Sequence, residues 1–473
     1  MNKNNQTIIE RLKRIIPSSF IRLTVTLLLF AGFSLAQSVW FKIYGGTGGD
    51  DGYSVRQTSD KGYIITGSTT SFGNSTQVYL IKTDSLGDTL WTATYGGTGE
   101  DFGYSVQQTT DSGYIICGTS TSFGNYYQVY LIKTDSTGDT LWTKNYGGTD
   151  MEEGWSVLQT IDEDYVIAGT SFGGGVYLIK TNAFGDTMWT RTYGPPYSQG
   201  KCVQQTTDGG YIITGYYYNS AAVYLLKTDS LGDTLWTRHY NYSTESDGRF
   251  VQQTLGGGYV IVGTVQILMH QFDILLVKTD SLGNNPVYGA YGPGGFGNYT
   301  FGTYGQQTAD SGFILVGYTN AFGSGEEIYI IKTDSMGNSM WENTFGRGAD
   351  DYGTCIQQTL DGGYVITGYT NCFGNGTQVY LIKTNAYGYG GMEDKKTAQY
   401  SPPLLYVTVH PNPFVSYTVV AGHEKEKVNL FDISGRLVGR YLGSRIGFDI
   451  PAGVYFLKLT DRKARPIQVI KIR

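Results

Sequence analysis

The sequence predicts an all-β protein in which a seven-bladed β-propeller is followed by a small C-terminal β-sandwich. The composition favours β-structure, because 67 glycines and 40 tyrosines among 473 residues are typical of short strands joined by tight turns. A unit of similar sequence recurs seven times, and a tail without that unit follows it. The predicted boundaries are 37–388 for the propeller, 389–403 for a linker and 404–473 for the tail domain.

Three short anchors define the repeat and its number. Trp recurs at positions 40, 91, 142, 189, 236 and 341, with Val287 in the remaining place. Gln-Thr pairs begin at Gln57, Gln108, Gln159, Gln205, Gln253, Gln307 and Gln358. Lys-Thr pairs begin at Lys82, Lys133, Lys180, Lys227, Lys278, Lys332 and Lys383. Seven copies of each anchor predict seven structural units.

Each unit contains four strand-like runs that are rich in Val, Ile, Tyr and Thr. In the second unit they are Tyr104–Thr109, Tyr114–Gly118, Gln128–Asp135 and Asp139–Tyr146. Each run is short and bounded by Gly, Asp or Ser, which favours strands separated by turns. Four strands in every unit are typical of a propeller blade.

The two ends of the repeat array predict how the ring closes. The seventh unit lacks a last strand, whereas Ser38–Tyr44 precedes the first unit as an extra strand. We expect this strand to pair with Gln378–Asn385, because that pairing removes an open sheet edge. Pro286 falls in the corresponding strand of the Val287 repeat, which places the Trp strand at the outer edge, since proline has no N–H to donate. The Gln-Thr strand is then expected to be innermost, beside the channel.

The recurring polar residues have structural interpretations. The turn Asp84–Asp88 keeps its Gly in all seven units, which predicts a type I turn followed by a residue with positive φ. Its aspartates also suggest calcium, but the turn lacks the ligand alternation of an EF-hand. The recurring Lys is expected to reach a nearby carboxylate. The recurring Gln could form a polar ring around the channel, or, as we expect, tie each strand to the next blade.

Residues 1–36 have the pattern of a secretory signal peptide. Basic residues precede the apolar run Leu23–Leu35, and Ser34–Ala36 places small residues before Gln37. The apolar run is shorter than the ~20 residues that a membrane-spanning helix needs. Cleavage before Gln37 and export are therefore expected.

The repeat resembles known propeller families. The segment Val78–Trp91 reads VYLIKTDSLGDTLW and is similar to blades of quinoprotein-like propellers. The segment Gly209–Gly215 resembles the Gly-Gly-Tyr-Ile-Ile units of repeat propellers in exported bacterial proteins. The resemblance covers residues 38–388 and implies the fold, without implying a ligand.

The tail resembles the C-terminal sorting domain of the type IX secretion system. Three motifs carry the resemblance in order: VHPNPF at 409–414, LFDISGRLV at 430–438 and GVYFLKL at 453–459. The resemblance implies a β-sandwich that the secretion machinery recognises through residues 404–473. It also implies a protein that passes through the periplasm and is secreted or attached at the cell surface. Gly447–Ala452 replaces the Trp-Asp-Gly stretch that is usual there, so cleavage and anchoring stay open.

Composition and motifs argue against several classes of function. The net charge is −6 and no basic stripe is present, which argues against a nucleic-acid partner. The four histidines are scattered and no nucleophile-elbow motif occurs, so neither a His-rich metal site nor a Ser-His-Asp triad is expected. We expect no catalytic residue and no cofactor. The alternatives are an extracellular enzyme that acts on a polymer through carboxylates and tyrosines, and a structural envelope component without a discrete ligand.

Departures from the repeat predict where a ligand binds. Units 4 and 5 lack the Phe-Gly pair that the other five units carry between their second and third strands. The residues expected to form an aromatic ligand-binding face are Tyr197, Tyr216, Tyr217, Tyr218, Tyr242, Met269 and His270. Clustered tyrosines offer broad contact area at low entropic cost. This favours a binding module for a glycan, a matrix polymer or an envelope protein, with drift of the repeat as the alternative.

An acidic arc is predicted on the same face. Seven residues before the anchor Gln, four units carry an acid and three carry Ser or Thr; the acids are Asp50, Asp101, Glu152 and Asp351. In a closed ring they occupy blades 7, 1, 2 and 3. They could cap turns and pair with nearby Lys, or they could form one side of the channel mouth and bind a cation such as calcium.

Overall fold

The computed structural model describes the propeller nearly continuously and the tail in part. The described residues are 39–124, 126–268, 270–294, 297–323, 325–374, 376–390, 409–410, 419–420, 427–432, 436–442, 444–447, 449–459 and 467–471. The predicted signal peptide 1–36, residues 391–403 of the predicted linker, and Met269 lie outside them. Within the described residues, no helix is both long and apolar enough to cross a membrane.

Seven four-stranded antiparallel sheets form the blades, as predicted. Blade 1 contains β2 (Asp50–Gln57), β3 (Tyr63–Thr69), β4 (Gln77–Thr83) and β5 (Thr89–Tyr95). Blade 2 contains β6 (Asp101–Gln108), β7 (Tyr114–Ser120), β8 (Gln128–Thr134) and β9 (Thr140–Tyr146). Blade 3 contains β10 (Glu152–Gln159), β11 (Tyr165–Ser171), β12 (Gly175–Thr181) and β13 (Thr187–Tyr193). Blade 4 contains β14 (Gln199–Gln205), β15 (Tyr211–Tyr217), β16 (Ala222–Thr228) and β17 (Thr234–Tyr240), with a 3₁₀ helix at Tyr218–Ser220.

The remaining blades follow the same order. Blade 5 contains β18 (Glu245–Gln253), β19 (Tyr259–Leu268), β20 (Gln271–Thr279) and β21 (Val287–Tyr291). Blade 6 contains β22 (Thr300–Gln307), β23 (Phe313–Thr319), β24 (Glu327–Thr333) and β25 (Ser339–Phe345). Blade 7 contains β26 (Asp351–Gln358), β27 (Tyr364–Thr370), β28 (Gln378–Thr384) and, from the start of the chain, β1 (Trp40–Tyr44).

The ring closes through the pairing that the sequence predicted. Strand β1 lies antiparallel to β28, with Trp40 opposite Lys383 and Tyr44 opposite Val379. Blade 7 therefore takes three strands from one end of the array and one from the other, and no repeat is left with an unpaired third strand.

The order of strands within a blade is also as predicted, with two local corrections. The Gln-Thr strand is innermost and the Trp strand outermost in every blade. Pro286 lies just before β21 rather than inside it, since β21 begins at Val287. The inner strand of blade 2 begins at Asp101, three residues before the predicted start. It starts earlier because a β-bulge between Gly103 and Ser105 lets pairing continue past the residue that bulges.

Two faces of the ring are distinguished by their loops. The upper face carries the loops that join second to third strands and outer strands to the next inner strand. The lower face carries the loops that join first to second strands and third to fourth strands. Main-chain hydrogen bonds link the two loop families of the upper face, for example from Ser246 N to Ala221 O at 2.9 Å.

The lower-face turns lock neighbouring blades together. Gly87 has φ +78°, which confirms the predicted left-handed turn position. The corresponding Gly138 lies against Trp91 of the preceding blade, and a Cβ there would meet the ring at 2.8 Å. The Tyr44 hydroxyl donates to Gly87 O at 2.7 Å. Five further outer strands end in a Tyr that makes the equivalent bond: Tyr95, Tyr146, Tyr193, Tyr240 and Tyr291.

The anchor Gln residues tie neighbouring blades together, as expected, but each binds the preceding blade and not the next one. The Gln108 side-chain oxygen accepts from Ser59 N at 2.9 Å, and Gln57 accepts from Leu360 N at 3.0 Å across the closure. The other five make the same bond: Gln159, Gln205, Gln253, Gln307 and Gln358. The seven bonds form a continuous belt around the lower face.

The anchor Lys residues are buried and pair with an aspartate in six blades. Lys383 Nζ lies 2.9 Å from Asp361, and its side chain is only 2% exposed. The same pair forms at Lys82, Lys133, Lys180, Lys227 and Lys332. Blade 5 differs because Gly256 replaces the aspartate, and Lys278 donates instead to the Ser335 carbonyl of the next blade.

The tail contains a separate four-stranded sheet. Its strands are β31 (Lys427–Asp432), β32 (Leu437–Leu442), β33 (Gly453–Leu459) and β34 (Ile467–Lys471), in the order β32-β31-β33-β34, and β29 (Val409–His410) pairs with β30 (Val419–Val420). Val428, Leu430 and Leu457 are fully buried on one side of the sheet, where Ile446 and Ile450 pack against them. The described residues thus show a small β-domain core, and a full second sheet is not among them.

Candidate functional site

A bulge in every inner strand turns one side chain into the channel. The bulged residues are Tyr53, Tyr104, Trp155, Lys201, Arg249, Thr303 and Thr354. Those of blades 1 to 4 contact one another in sequence. The Tyr53 and Tyr104 rings are 5.2 Å apart, Tyr104 stacks on Trp155 at 4.4 Å, and Lys201 Nζ lies 3.4 Å from the Trp155 ring centre. The bulged residue is therefore aromatic in blades 1 to 3 and basic in blades 4 and 5.

Side chains from four blades fill the lumen below the bulges. Arg56 of blade 1 donates to the Tyr304 hydroxyl of blade 6 at 2.8 Å and to Sγ of Cys355 of blade 7 at 3.2 Å. Tyr304 packs against Phe250 of blade 5, with ring centres 4.3 Å apart. Side chains of blades 1, 5, 6 and 7 therefore contact one another across the lower part of the channel.

A cavity of about 290 Å³ opens on the upper face between the inner parts of blades 4 to 6. Its lining combines three aromatic rings with amide, hydroxyl and charged groups: Gln199, Tyr216, Glu245, Ser246, Asp247, Arg249, Thr264, Gln266, Phe272 and Phe301. Phe272 stacks on Phe301 with ring centres 4.9 Å apart. Apolar walls with a few convergent polar groups are the usual construction of a small-ligand site.

The charged groups of this region are fixed by their neighbours. Asp247 accepts from Arg249 Nε at 2.9 Å and from Thr264 N at 2.9 Å, so both of its oxygens are engaged. Burial lowers the pKa of Lys201 to about 7, against the opposing effect of Glu153. The Arg249 side chain lines the cavity and keeps 39% of its surface exposed, so it remains accessible to solvent.

The residues of the predicted aromatic face fall into separate groups. Tyr197 and Tyr218 are 54% and 55% exposed, with ring centres 5.3 Å apart. Tyr217 stacks on His239 at 3.8 Å and is half-buried. The remaining predicted residues lie at three places: Tyr216 in the cavity wall, Tyr242 against Tyr288 of the outer strand, and exposed His270 at the β19–β20 turn.

The acidic arc does not form a charged channel mouth, which corrects that part of the prediction. Asp50, Asp101 and Asp351 are fully buried, and Glu152 is 6% exposed. Each accepts a main-chain N–H from its own loop, as Asp50 does from Gly46 N at 2.8 Å. Ser71 also donates to Asp50, at 2.6 Å. The described residues contain no group of three His, Cys, Asp or Glu side chains placed to hold a metal ion.

Sequence reasoning missed the charged members of the site. Lys201 and Arg249 occupy the position that holds Tyr53, Tyr104 and Trp155 in units 1 to 3. This departure from the repeat is visible in the sequence. Its relevance to a binding site becomes clear only from the structure, in which the bulge turns this position towards the channel.

Comparisons with known proteins do not assign a function. No protein-family model and no curated protein matches the chain. Among solved structures, the chain is similar to a protein of unknown function from Bacteroides caccae (13% identity, 66% of this chain and 98% of that one, TM-score 0.39). It is similar to BamB from Moraxella catarrhalis (13% identity, 72% and 85%, TM-score 0.38). It is also similar to the extracellular domain of BT4673 from B. thetaiotaomicron (11% identity, TM-score 0.44), covering 92% of this chain and 59% of that one.

Proposed function

We propose that this protein is an exported binding module that holds its ligand on the upper face of blades 4 to 6. The cavity at Tyr216, Phe272 and Phe301 carries the proposal. It stands where the repeat departs from its own pattern. The aromatic walls have counterparts in other blades, such as Tyr318 and Tyr369 for Tyr216, whereas no other blade carries an arginine at the position of Arg249.

The ligand class that this cavity favours is a glycan or a related matrix polymer. The volume of about 290 Å³ suits one or two sugar units, which is near the lower limit for small-ligand pockets. Aromatic walls suit the apolar faces of sugar rings, and the amides of Gln199 and Gln266 suit hydroxyl groups. The exposed pair Tyr197 and Tyr218 could extend the contact along a polymer.

A glycan and cell-wall polymer screen with the purified protein tests the proposal. We expect binding that Tyr216→Ala and Phe272→Ala each weaken by at least about 10-fold, with little change in melting temperature. Phe184→Ala is the matched control, because Phe184 is 71% exposed on a lower-face turn. Equal weakening by the control, or no binding to any glycan, polymer or envelope fraction, would contradict the proposal and favour the structural role.

We propose no catalytic role for the cavity. Both oxygens of Asp247 are engaged by Arg249 and Thr264, so this carboxylate is poorly placed to exchange a proton with a substrate. An enzyme acting on a polymer is the alternative. Prolonged incubation with a bound polymer should leave its chain length unchanged, and progressive shortening that the Asp247→Asn variant abolishes would establish the enzyme instead.

We propose that residues 404–473 complete a β-sandwich and address the protein to the type IX secretion machinery. The ordered motifs at 409–414, 430–438 and 453–459 support this, together with the signal-peptide pattern of 1–36. Deleting 404–473 should leave a folded propeller in the periplasm. Surface labelling of the producing cells measures this, and unchanged display of the shortened protein would contradict it.

A further inference from the structure

Two basic side chains occupy equivalent positions at the lumen on neighbouring blades. Lys201 lies on β14 and Arg249 on β18, at equivalent bulged positions of adjacent inner strands. The two strands are neighbours in the ring, and Gln199 of β14 and Arg249 of β18 line the same cavity. The corresponding position is aromatic in blades 1 to 3 and Thr in blades 6 and 7. The repeat therefore does not require a cation there.

Both cations have donors to spare. Arg249 uses Nε for Asp247, and among the described residues its two terminal nitrogens have no hydrogen-bond partner. Lys201 contacts the Trp155 ring at 3.4 Å, and its ammonium likewise makes no hydrogen bond or ion pair within 4 Å among the described residues. Donors without acceptors in a partly desolvated lumen are complementary to an anion.

The neighbouring acids leave room for that anion. Asp247 is saturated by Arg249 and Thr264, and Glu153 acts on Lys201 only as a charge at longer range. Glu245 lines the same cavity and is exposed. Because a planar guanidinium fork matches a carboxylate with two parallel hydrogen bonds, the terminal nitrogens of Arg249 favour a carboxylate over a spherical anion.

We propose that the ligand is an acidic saccharide whose carboxylate binds between Lys201 and Arg249, while its ring lies in the adjoining cavity. The inference rests on the proposed binding function and narrows its ligand class to uronate-bearing glycans. Trp155 is a positioning residue, because its ring lies between Tyr104 and Lys201 and holds the ammonium in place.

A matched pair of ligands tests this on the unaltered protein. Affinities are measured by calorimetry for uronate oligosaccharides and for the same oligosaccharides as neutral methyl esters. We expect the free acid to bind at least about 10-fold more tightly, which is typical of a hydrogen bond to a charged group. Equal affinities would overturn the inference and leave the binding function standing, whereas failure of all glycans to bind would overturn the binding function itself. Binding of sulfated but not carboxylated sugars would overturn the carboxylate assignment.

Substitutions show which side chains cause the preference for the free acid over the methyl ester. Lys201→Met and Arg249→Met should each remove most of it, and Arg249→Lys should retain part, since it keeps the charge and loses the fork. Lys144→Met and Arg191→Met are matched controls on exposed outer strands, where the side chains are 38% and 42% exposed. A preference that survives in folded Lys201→Met and Arg249→Met proteins would overturn the inference. If these variants do not fold, the comparison of the free acid with its methyl ester on the unaltered protein decides whether the inference holds.

Discussion

The lower and upper faces of this propeller differ in what they repeat. On the lower face, seven Gln bonds, six buried Lys–Asp pairs and seven left-handed glycine turns recur with little change. A lower-face cavity of about 340 Å³ is lined by Gln, Ser, Thr and Ile, with no charged or aromatic side chain. On the upper face, blades 4 and 5 replace recurring residues with tyrosines and cations. The recurring contacts of the lower face hold the ring together, and the residues of the upper face are therefore free to vary.

The largest expected effect comes from opening the ring. A protein without residues 37–46 loses β1, and with it the packing of Trp40 and the Tyr44 bond to Gly87. Blade 7 would then expose β28 as an edge. We expect the melting temperature to fall by about 10 °C or more. Calorimetry measures this, with a protein lacking 404–473 as the control. Equal stability of both shortened proteins would show that closure is not what holds the ring.

Acid should weaken the lower face before it affects the rest. Desolvation alone would raise the pKa of Asp208, but hydrogen bonds from Thr206 and Lys227 outweigh it and lower the pKa to about 2. The pKa values of Asp60, Asp111, Asp162, Asp310 and Asp361 are lowered in the same way. A depressed folded-state pKa contributes stability above the unfolded value of about 3.9, and that stability is lost as the pH falls towards the folded value.

The expected profile is a melting temperature that declines between about pH 4 and pH 2. Desolvation raises the pKa values of Asp51 and Asp351. The ionisation of these two groups therefore lowers the stability of the folded protein as the pH rises. Asp208→Asn should lower the melting temperature at pH 7 and make the acid decline shallower. Asp233→Asn, on an exposed turn, is the control. An acid decline of unchanged steepness in Asp208→Asn would remove these pairs as its cause.

A smaller effect is expected from restoring the repeat in blade 5. Gly256→Asp places a carboxylate where the other six blades have one, and a Cβ there meets only Thr254 at 3.9 Å. The variant also loses the flexibility of glycine in the unfolded chain. We expect the free energy of unfolding to rise by about 0.5–1 kcal/mol, as measured by denaturant unfolding. Gly257→Ala is the contrast, because φ +82° at Gly257 should make that substitution destabilising. A lower free energy of unfolding in the Gly256→Asp variant would show that blade 5 is adapted to the hydrogen bond that Lys278 makes to the next blade.

The smallest effect is expected from calcium. The acids of the arc are buried and accept loop N–H groups, so adding calcium to the native protein should leave the melting temperature unchanged. A stabilising ligand would raise it by mass action. A rise that the Asp50→Asn, Asp351→Asn double variant loses would restore the cation site predicted from the sequence.

The sequence by itself determined the architecture of the propeller. Periodic anchors specify seven blades, their strand order and the closure by the N-terminal strand, because each blade must bury the same surfaces against its neighbours. The left-handed glycine turn and the Gln and Lys contacts follow for the same reason. These features depend on local sequence and on contacts between adjacent repeats, and both can be read along the chain.

Only the tertiary structure decided what the upper face presents. Whether Tyr216 lines a cavity and Tyr242 packs outward depends on loop paths that no periodicity encodes. The acids at equivalent positions proved to be buried caps, because the loops fold over them. Lys201 and Arg249 take equivalent positions at the lumen because a bulge interrupts the alternation of side chains at each of them. Residues 48 positions apart in sequence thus lie on neighbouring inner strands of the ring.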